Sequence, residues 1–318
     1  MGGAQVTNFT LDNVKSQEGK VVIVTGGNAG IGYATVKGLA SKGATVIIAS
    51  RNQERVNEAI AKIKKLQPSA KVEGMVLNLS SFSSIDRFVA EVKRKYTKID
   101  VLVNNAGIGM IPFAKTELGF EPTLGTNVMG TVYLTTSLLP LISASSAGRV
   151  VFLGALPVNM VKQKGVESHI TDVGGEKLSA CTFETYSVSK LFTCLYCYEL
   201  QKRLASHRNE AYSRIECYSC EPGVAKTTFL GKIEGGAFKT VMGIAEGILG
   251  TTIEVGALSS IYCATSDIPE SLRGECFKSG PKVAPFKWDT KAYNADNSAR
   301  VFNAINATIA QKGFRAFE

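Results

Sequence analysis

Apolar residues recur along this chain in two alternating rhythms. Short, largely β-branched runs occupy residues 20–25, 45–50, 72–79, 99–104, 149–153 and 215–220, with a shorter one at 275–278. Between them lie longer stretches in which apolar positions return every three or four residues, at 30–42, 53–66, 82–96, 119–143, 185–208 and 254–264. In the second of these, Val56, Ala59, Ile60 and Ile63 fall on one helical face. The near-continuous apolar character of the short runs is that of strands covered by helices on both sides. Strand and helix periods alternating in this order predict an α/β fold, a doubly wound parallel sheet of about seven strands with helices on both faces.

Two stretches, 158–184 and 228–252, break the alternation, and both follow strands at the predicted carboxyl edge of the sheet. Ligands of open α/β sheets bind at that edge. The 228–252 stretch carries Phe229, Leu230, Ile233, Phe238, Val241, Met242, Ile244, Ile248 and Leu249, the content of an apolar lid over a substrate.

Composition narrows the classes. A hydrophobic fraction of 45% with 20% charged residues excludes disordered and fibrous chains. The net charge of +9 is scattered along helices such as 53–66 and 82–96 with no recognition motif beside it, so it predicts a solvated basic surface and no nucleic-acid partner. Seven cysteines sit mostly on predicted core elements, Cys194 and Cys197 on a helix and Cys217 and Cys220 on a strand. With no histidine pair near either, they read as buried thiols, no metal site is expected, and a reducing compartment follows. His169 and His207 are the only histidines, and neither lies near a Gly-x-Ser-x-Gly elbow, which argues against a hydrolase. The apolar stretches 131–142 and 241–253 are too short and interrupted to span a membrane, and no secretory leader is visible. The predicted setting is cytoplasmic, with peripheral membrane contact and an organelle left open.

Candidate chemistry begins at the first turn. Thr25-Gly26-Gly27-Asn28-Ala29-Gly30-Ile31-Gly32 follows a strand and opens a helix, so its glycines let the backbone approach a pyrophosphate resting on the helix N-terminus. That predicts a Rossmann-type dinucleotide-binding domain over residues 20–318, preceded by a polar lead-in at 1–19. At the end of the second strand, where a carboxylate would bond a ribose 2′-hydroxyl, the chain reads Ser50-Arg51-Asn52. A guanidinium there pairs with a 2′-phosphate that an acid would repel, so NADP(H) is predicted over NAD(H).

Further motifs follow at intervals: Asn104-Asn105-Ala106-Gly107, Asn127 within Gly125-Thr126-Asn127-Val128-Met129-Gly130, Tyr186 with Lys190, and Pro222-Gly223 with Thr227. In these residues the chain resembles the short-chain dehydrogenase/reductase family over about residues 20–282. Ser50-Arg51, Gly119-Phe120-Glu121 and the long insert before Tyr186 look most like its retinol-dehydrogenase-like branch and the light-dependent protochlorophyllide reductases. The resemblance implies that Asn105, Ala106 and Gly107 line the adenosine part of the cofactor groove. It places Val224 and Thr227 near the nicotinamide carboxamide, and Asn78 where an Asp usually contacts adenine. It also implies a homo-oligomer formed through the helices around 119–143 and 185–208.

The same resemblance gives Tyr186, Lys190 and Asn127 the catalytic roles. Hydride transfer to a carbonyl leaves an alkoxide that must be protonated, and a tyrosine whose pKa is lowered by a nearby ammonium can exchange that proton. Tyr186 and Lys190, four residues apart, share a helix face. Asn127 would anchor a water that relays protons. One departure stands out: residues 148–167 contain no Ser, Thr or Tyr, and Ala155 occupies the position of the hydroxyl that orients the substrate oxygen. Asn159, Ser168 or Thr171 folding back would replace it. Two functions therefore compete: a reductase or dehydrogenase for a lipophilic carbonyl or alcohol of the retinoid, steroid or aldehyde class, and a non-catalytic NADP-binding scaffold or sensor.

Overall fold

The computed structural model describes residues 8–223, 251–280 and 282–317. The predicted strands form as β1 (Val21–Thr25), β2 (Thr45–Ser50), β3 (Val72–Val76), β4 (Val101–Asn104), β5 (Arg149–Leu153), β6 (Glu216–Glu221) and β7 (Cys276–Lys278). An additional strand, β8 (Ala284–Phe286), completes an eight-stranded sheet in the order β3-β2-β1-β4-β5-β6-β7-β8. All neighbours are parallel except β7 and β8. The sequence pattern did not show β8 because it is three residues long and contains Pro285, which only an edge strand accommodates. The chain crosses from one half of the sheet to the other between β1 and β4, which opens a crevice at their carboxyl ends.

Strand alternation divides the core into two layers. Val150 and Phe152 of β5 face a cluster built with helices Phe82–Lys95, Thr131–Ser143, Phe183–Ala205 and Ala295–Gln311. Val151 and Leu153 face the opposite cluster, with helices Gly30–Ser41, Gln53–Leu66 and Ile253–Thr265. Asp100 ties the amino ends of the strands together. Its carboxylate accepts from the Val21 amide (2.9 Å), the Ser145 hydroxyl (2.6 Å) and Lys98 (2.9 Å). Burial alone would raise this carboxyl's pKa, but those donors outweigh it and hold the group below its ordinary value.

Two local departures from simple periodicity matter for the site. The stretch predicted as one helix over 119–143 is a short turn of helix at Pro122–Leu124, a π-helical segment at Gly125–Gly130, and then the helix Thr131–Ser143. A Cβ at Gly130 would lie 1.8 Å from the Leu79 carbonyl oxygen, so only glycine lets this segment pass β3's trailing end. The C-terminal helix Ala295–Gln311, absent from the sequence reading, packs on Phe183–Ala205. The Phe302 ring stacks on Tyr196 at 4.7 Å and lies under the Arg203 guanidinium at 5.3 Å. Phe314, just beyond it, meets Phe82 and Tyr133 edge-on. The C-terminal helix thus packs along the Phe183–Ala205 helix, and the residue Phe314 that follows it reaches Tyr133 on the Thr131–Ser143 helix.

Candidate active site

The carboxyl ends of β1 and β4 are laced together before any ligand is considered. The Asn105 amide donates to the Thr25 carbonyl (2.8 Å), and the Thr25 hydroxyl accepts from the Ala106 N–H (2.9 Å). Gly26 and Gly30 adopt positive φ, +65° and +56°, which turns the chain into the first helix. Gly32 is required by close approach: a Cβ there would sit 2.4 Å from the Asn105 side-chain nitrogen and 2.5 Å from the Gly26 carbonyl oxygen. The helix these glycines open is capped by Ala29, whose side chain makes no capping bond. Its first-turn N–H groups therefore point into the crevice without a side-chain acceptor, the geometry that suits a phosphate.

That crevice is a cavity of about 990 Å³. Thr25, Gly26, Asn28, Gly30, Ile31 and Gly32 form its middle. Ser50 and Arg51 line one end, joined by Arg55 and Lys62 from the helix Gln53–Leu66, two cations the sequence reading did not single out. Their signal was present in the helix period, since Arg55 lies one turn beyond Arg51 and its N–H is fixed by the Asn52 cap (2.9 Å). Arg51 and Arg55 are exposed, and neither has an ion-pair partner among the described residues. Asn105, Ala106 and Gly107 line the wall beneath the glycine turn.

At the other end the wall passes to Tyr186, Lys190, Pro222 and Gly223, together with Gly154 and Ala155. Thr182 caps the helix that presents Tyr186 and Lys190, accepting from the Thr185 N–H at 3.0 Å. Lys190 is buried and donates to the Leu153 carbonyl (2.9 Å); a Cβ on Gly107 would come within 3.0 Å of its Nζ. Burial pushes the Lys190 pKa down to about 8. Tyr186 is held in place by the β4–Pro122 loop, where a Cβ on Gly109 would meet its ring at 2.5 Å. Among the protein's own groups, burial and then the Glu221 carboxylate raise the Tyr186 pKa. The Lys190 ammonium, from which a lowering of the Tyr186 pKa is expected, donates to the Leu153 carbonyl.

Two predicted residues lie outside the cavity wall. Asn78 turns its oxygen to the Ser80 N–H and hydroxyl, at 3.2 and 2.8 Å, while Leu77 and Leu79 on either side of it line the cavity. Asn127, in the π-helical segment, accepts from the Ile108 N–H (2.9 Å) and donates to the Ile108 carbonyl (2.8 Å) and the Ser189 hydroxyl (3.0 Å). Its side chain clamps the loop over Tyr186 to the helix beneath it. Val224, Thr227 and the predicted lid at 228–252, all but its last two residues, lie outside the described residues.

None of the hydroxyl substitutes for Ala155 folds back. Asn159 accepts from the Asp289 N–H (2.8 Å), Ser168 bonds Gly165 and His169, and Thr171 ends the Gln163–Ile170 helix. In their place, Leu156, Pro157, Met160 and Phe183 make this end of the cavity apolar, and Ile108 and Met110 also line the cavity.

The pattern of a known family, described as short chain dehydrogenase, matches residues 20–236. The chain belongs to the short-chain dehydrogenase family. Human retinol dehydrogenase 13 is 33% identical over 290 residues, covering 89% of this chain and 82% of its own length. Human polyprenol dehydrogenase is 34% identical over 260 residues, 80% of this chain and 75% of that protein. A short chain dehydrogenase/reductase of Colletotrichum higginsianum, dpchH, is 32% identical over 98% of this chain and 79% of its own. Among solved structures, an uncharacterized protein from Mycobacterium paratuberculosis superposes with a TM-score of 0.75 at 26% identity, covering 98% of this chain and all of the other. The chain is therefore a member of an oxidoreductase family with retinol-dehydrogenase-like relatives. No helix among the described residues is long and apolar enough to cross a membrane.

Proposed function

We propose that this short-chain dehydrogenase is an NADP(H)-dependent oxidoreductase that interconverts a lipophilic carbonyl compound and its alcohol. The observation that carries this reading is the continuity of one cavity from Arg51 and Arg55, past an uncapped helix N-terminus, to Tyr186 and Lys190. Its donor set fits a phosphorylated dinucleotide piece by piece. Arg51 and Arg55, which have no ion-pair partner among the described residues, would take a 2′-phosphate, and a glycine turn that a Cβ would fill would let a pyrophosphate pass. NADP(H), when bound, supplies or accepts the hydride at its nicotinamide ring.

The chain's own residues do the remainder. Lys190 and the Pro222-Gly223 turn would hold the ring end. Tyr186 gives a proton to the carbonyl oxygen during reduction and takes one from the alcohol during oxidation. The apolar wall of Leu156, Pro157, Met160 and Phe183 favours a long hydrocarbon substrate. Two relatives carry the names of such alcohols, retinol and polyprenol.

Ala155 supports a second reading, an NADP-binding scaffold, because it leaves the substrate oxygen without the usual hydroxyl. The two separate in one experiment. NADPH oxidation is followed against retinal, long-chain aldehydes, steroid ketones and quinones, with Tyr186→Phe alongside. Turnover that falls about 100- to 10,000-fold in the variant supports the oxidoreductase, the range a positioned acid contributes. NADPH binding without turnover of any carbonyl by either protein supports the scaffold.

A further inference from the structure

We propose that Glu221 is a positioning residue that senses the redox state of the bound nicotinamide, favouring the oxidised ring over the reduced one as its carboxyl ionises. This rests on the cofactor placement argued above. Glu221 ends β6, one residue beyond the Leu153–Cys220 register pair, and the Gly154 N–H donates to the Cys220 carbonyl at 2.8 Å. Alternation along β6 sends Tyr218 and Cys220 into one core layer, and Glu221 to the other side, that of the Phe183–Ala205 helix. The side chain has no solvent exposure.

One carboxyl oxygen accepts from the Gly223 N–H at 2.7 Å and so fixes a turn at φ +75° that forms the ring-end wall. The other oxygen is buried with no hydrogen-bond partner among the described residues. A sheet residue with no catalytic neighbour gains nothing from an unsatisfied buried acid. Directly behind the ring-end wall, the same acid places a titratable charge next to the one part of the cofactor whose charge changes. The oxidised ring is cationic and the reduced ring neutral, so a carboxylate there attracts one and is indifferent to the other.

The groups facing this carboxyl set its range. Burial dominates and raises its pKa, while the Gly223 amide and Lys278, its register partner on β7, act in the opposite sense and leave it at about 7. From the Phe183–Ala205 helix, Tyr186 and Cys194 feel its charge, as does Cys220 beside it, and Lys190 on that helix is the cation of the site. The carboxyl is thus neutral below about pH 7 and anionic above it.

The test measures dissociation constants of NADP+ and NADPH for the full-length protein between pH 6 and pH 8.5, by NADPH fluorescence and competition. In the wild type, the NADP+ to NADPH affinity ratio is expected to rise with pH by on the order of 10-fold, the change that about 1.4 kcal/mol of charge–charge attraction produces. Glu221→Gln keeps an acceptor for Gly223 and should flatten that rise. A merely structural role would change both affinities together and leave their ratio untouched. A ratio already flat in the wild type overturns the proposal without any variant, so a Glu221→Gln protein that failed to fold would not shelter it. If neither cofactor form binds, the oxidoreductase reading falls and this proposal with it. If both bind, the ratio decides Glu221 alone.

Discussion

The two ends of the cavity are built by different means. The end that runs from the Gly26–Gly32 turn to Arg51 is made mostly of backbone, a turn, an uncapped helix and strand tips, with the Asn105 and Ala106 ties to Thr25 behind the turn and the Arg51 and Arg55 guanidinium groups at its limit. The Tyr186 end is made of side chains brought together from the β4–Pro122 loop, the π-helical segment, the long helix, and the tips of β5 and β6. A backbone site fails by steric intrusion, whereas an assembled site fails through loss of one member's chemistry. Substitutions at the two ends should therefore leave different signatures, binding at the first and rate at the second.

The largest effect should come from intruding on the backbone end. Gly32→Ala places a methyl group 2.4 Å from the Asn105 nitrogen and 2.5 Å from the Gly26 carbonyl, so the Asn105–Thr25 bond or the turn itself must yield. Overpacking of this kind costs about 3 kcal/mol at its upper range, which as lost cofactor affinity is about 100-fold. Titration of NADPH fluorescence checks it, and an unchanged affinity in a folded variant would show that the turn is not the phosphate cradle.

Arg51→Ala sharpens the same end. A charge-assisted bond is worth roughly 1.5–3 kcal/mol, so NADPH affinity should fall about 10- to 100-fold. NADH affinity should stay within about twofold, because no 2′-phosphate is present to be lost. An equal loss for both cofactors would make Arg51 a structural residue. Arg55, on the next turn, limits the effect if it takes over the phosphate.

The contrast between the ends also explains what the sequence disclosed. The glycine turn, the strands and the Tyr186–Lys190 pair were legible because each is a local pattern whose spacing carries its geometry. Arg55 was half legible, because it lies on the helix after β2 and only the fold turns that helix face to the cavity. Glu221 was not, since a glutamate before a Pro-Gly turn is ordinary in a sequence. Its significance arises from its bond to the Gly223 N–H and complete burial. Asn127 and Asn78 show the opposite case, in which the residue was found and its bonding partners were not. Asn127's amide engages Ile108 and Ser189, and Asn78's oxygen engages Ser80. The C-terminal helix escaped notice despite its amphipathic pattern, and β8 is too short and proline-bearing to carry one.

Ala155 is the position of the assembled end at which the resemblance leads one to expect a hydroxyl, and Ala155→Ser is the smallest and most discriminating of the changes. The residue has extended backbone (φ −162°, ψ 150°) and lines the cavity beside Tyr186, so a hydroxyl there requires no change of fold. Losing an evolved donor at such a position typically costs about 100- to 1000-fold. Restoring one to a wall that has adapted to its absence should return less, about a 10-fold rise in kcat with KM little changed, measured on whichever carbonyl the wild type reduces. An unchanged kcat would mean that the apolar wall and Tyr186 already orient the carbonyl without a second donor. Turnover that appears only in the variant would instead show that the wild-type assembled end had lost its chemistry while the backbone end kept its ligand. The two ends of one cavity would then have separate functional histories, as their different construction permits.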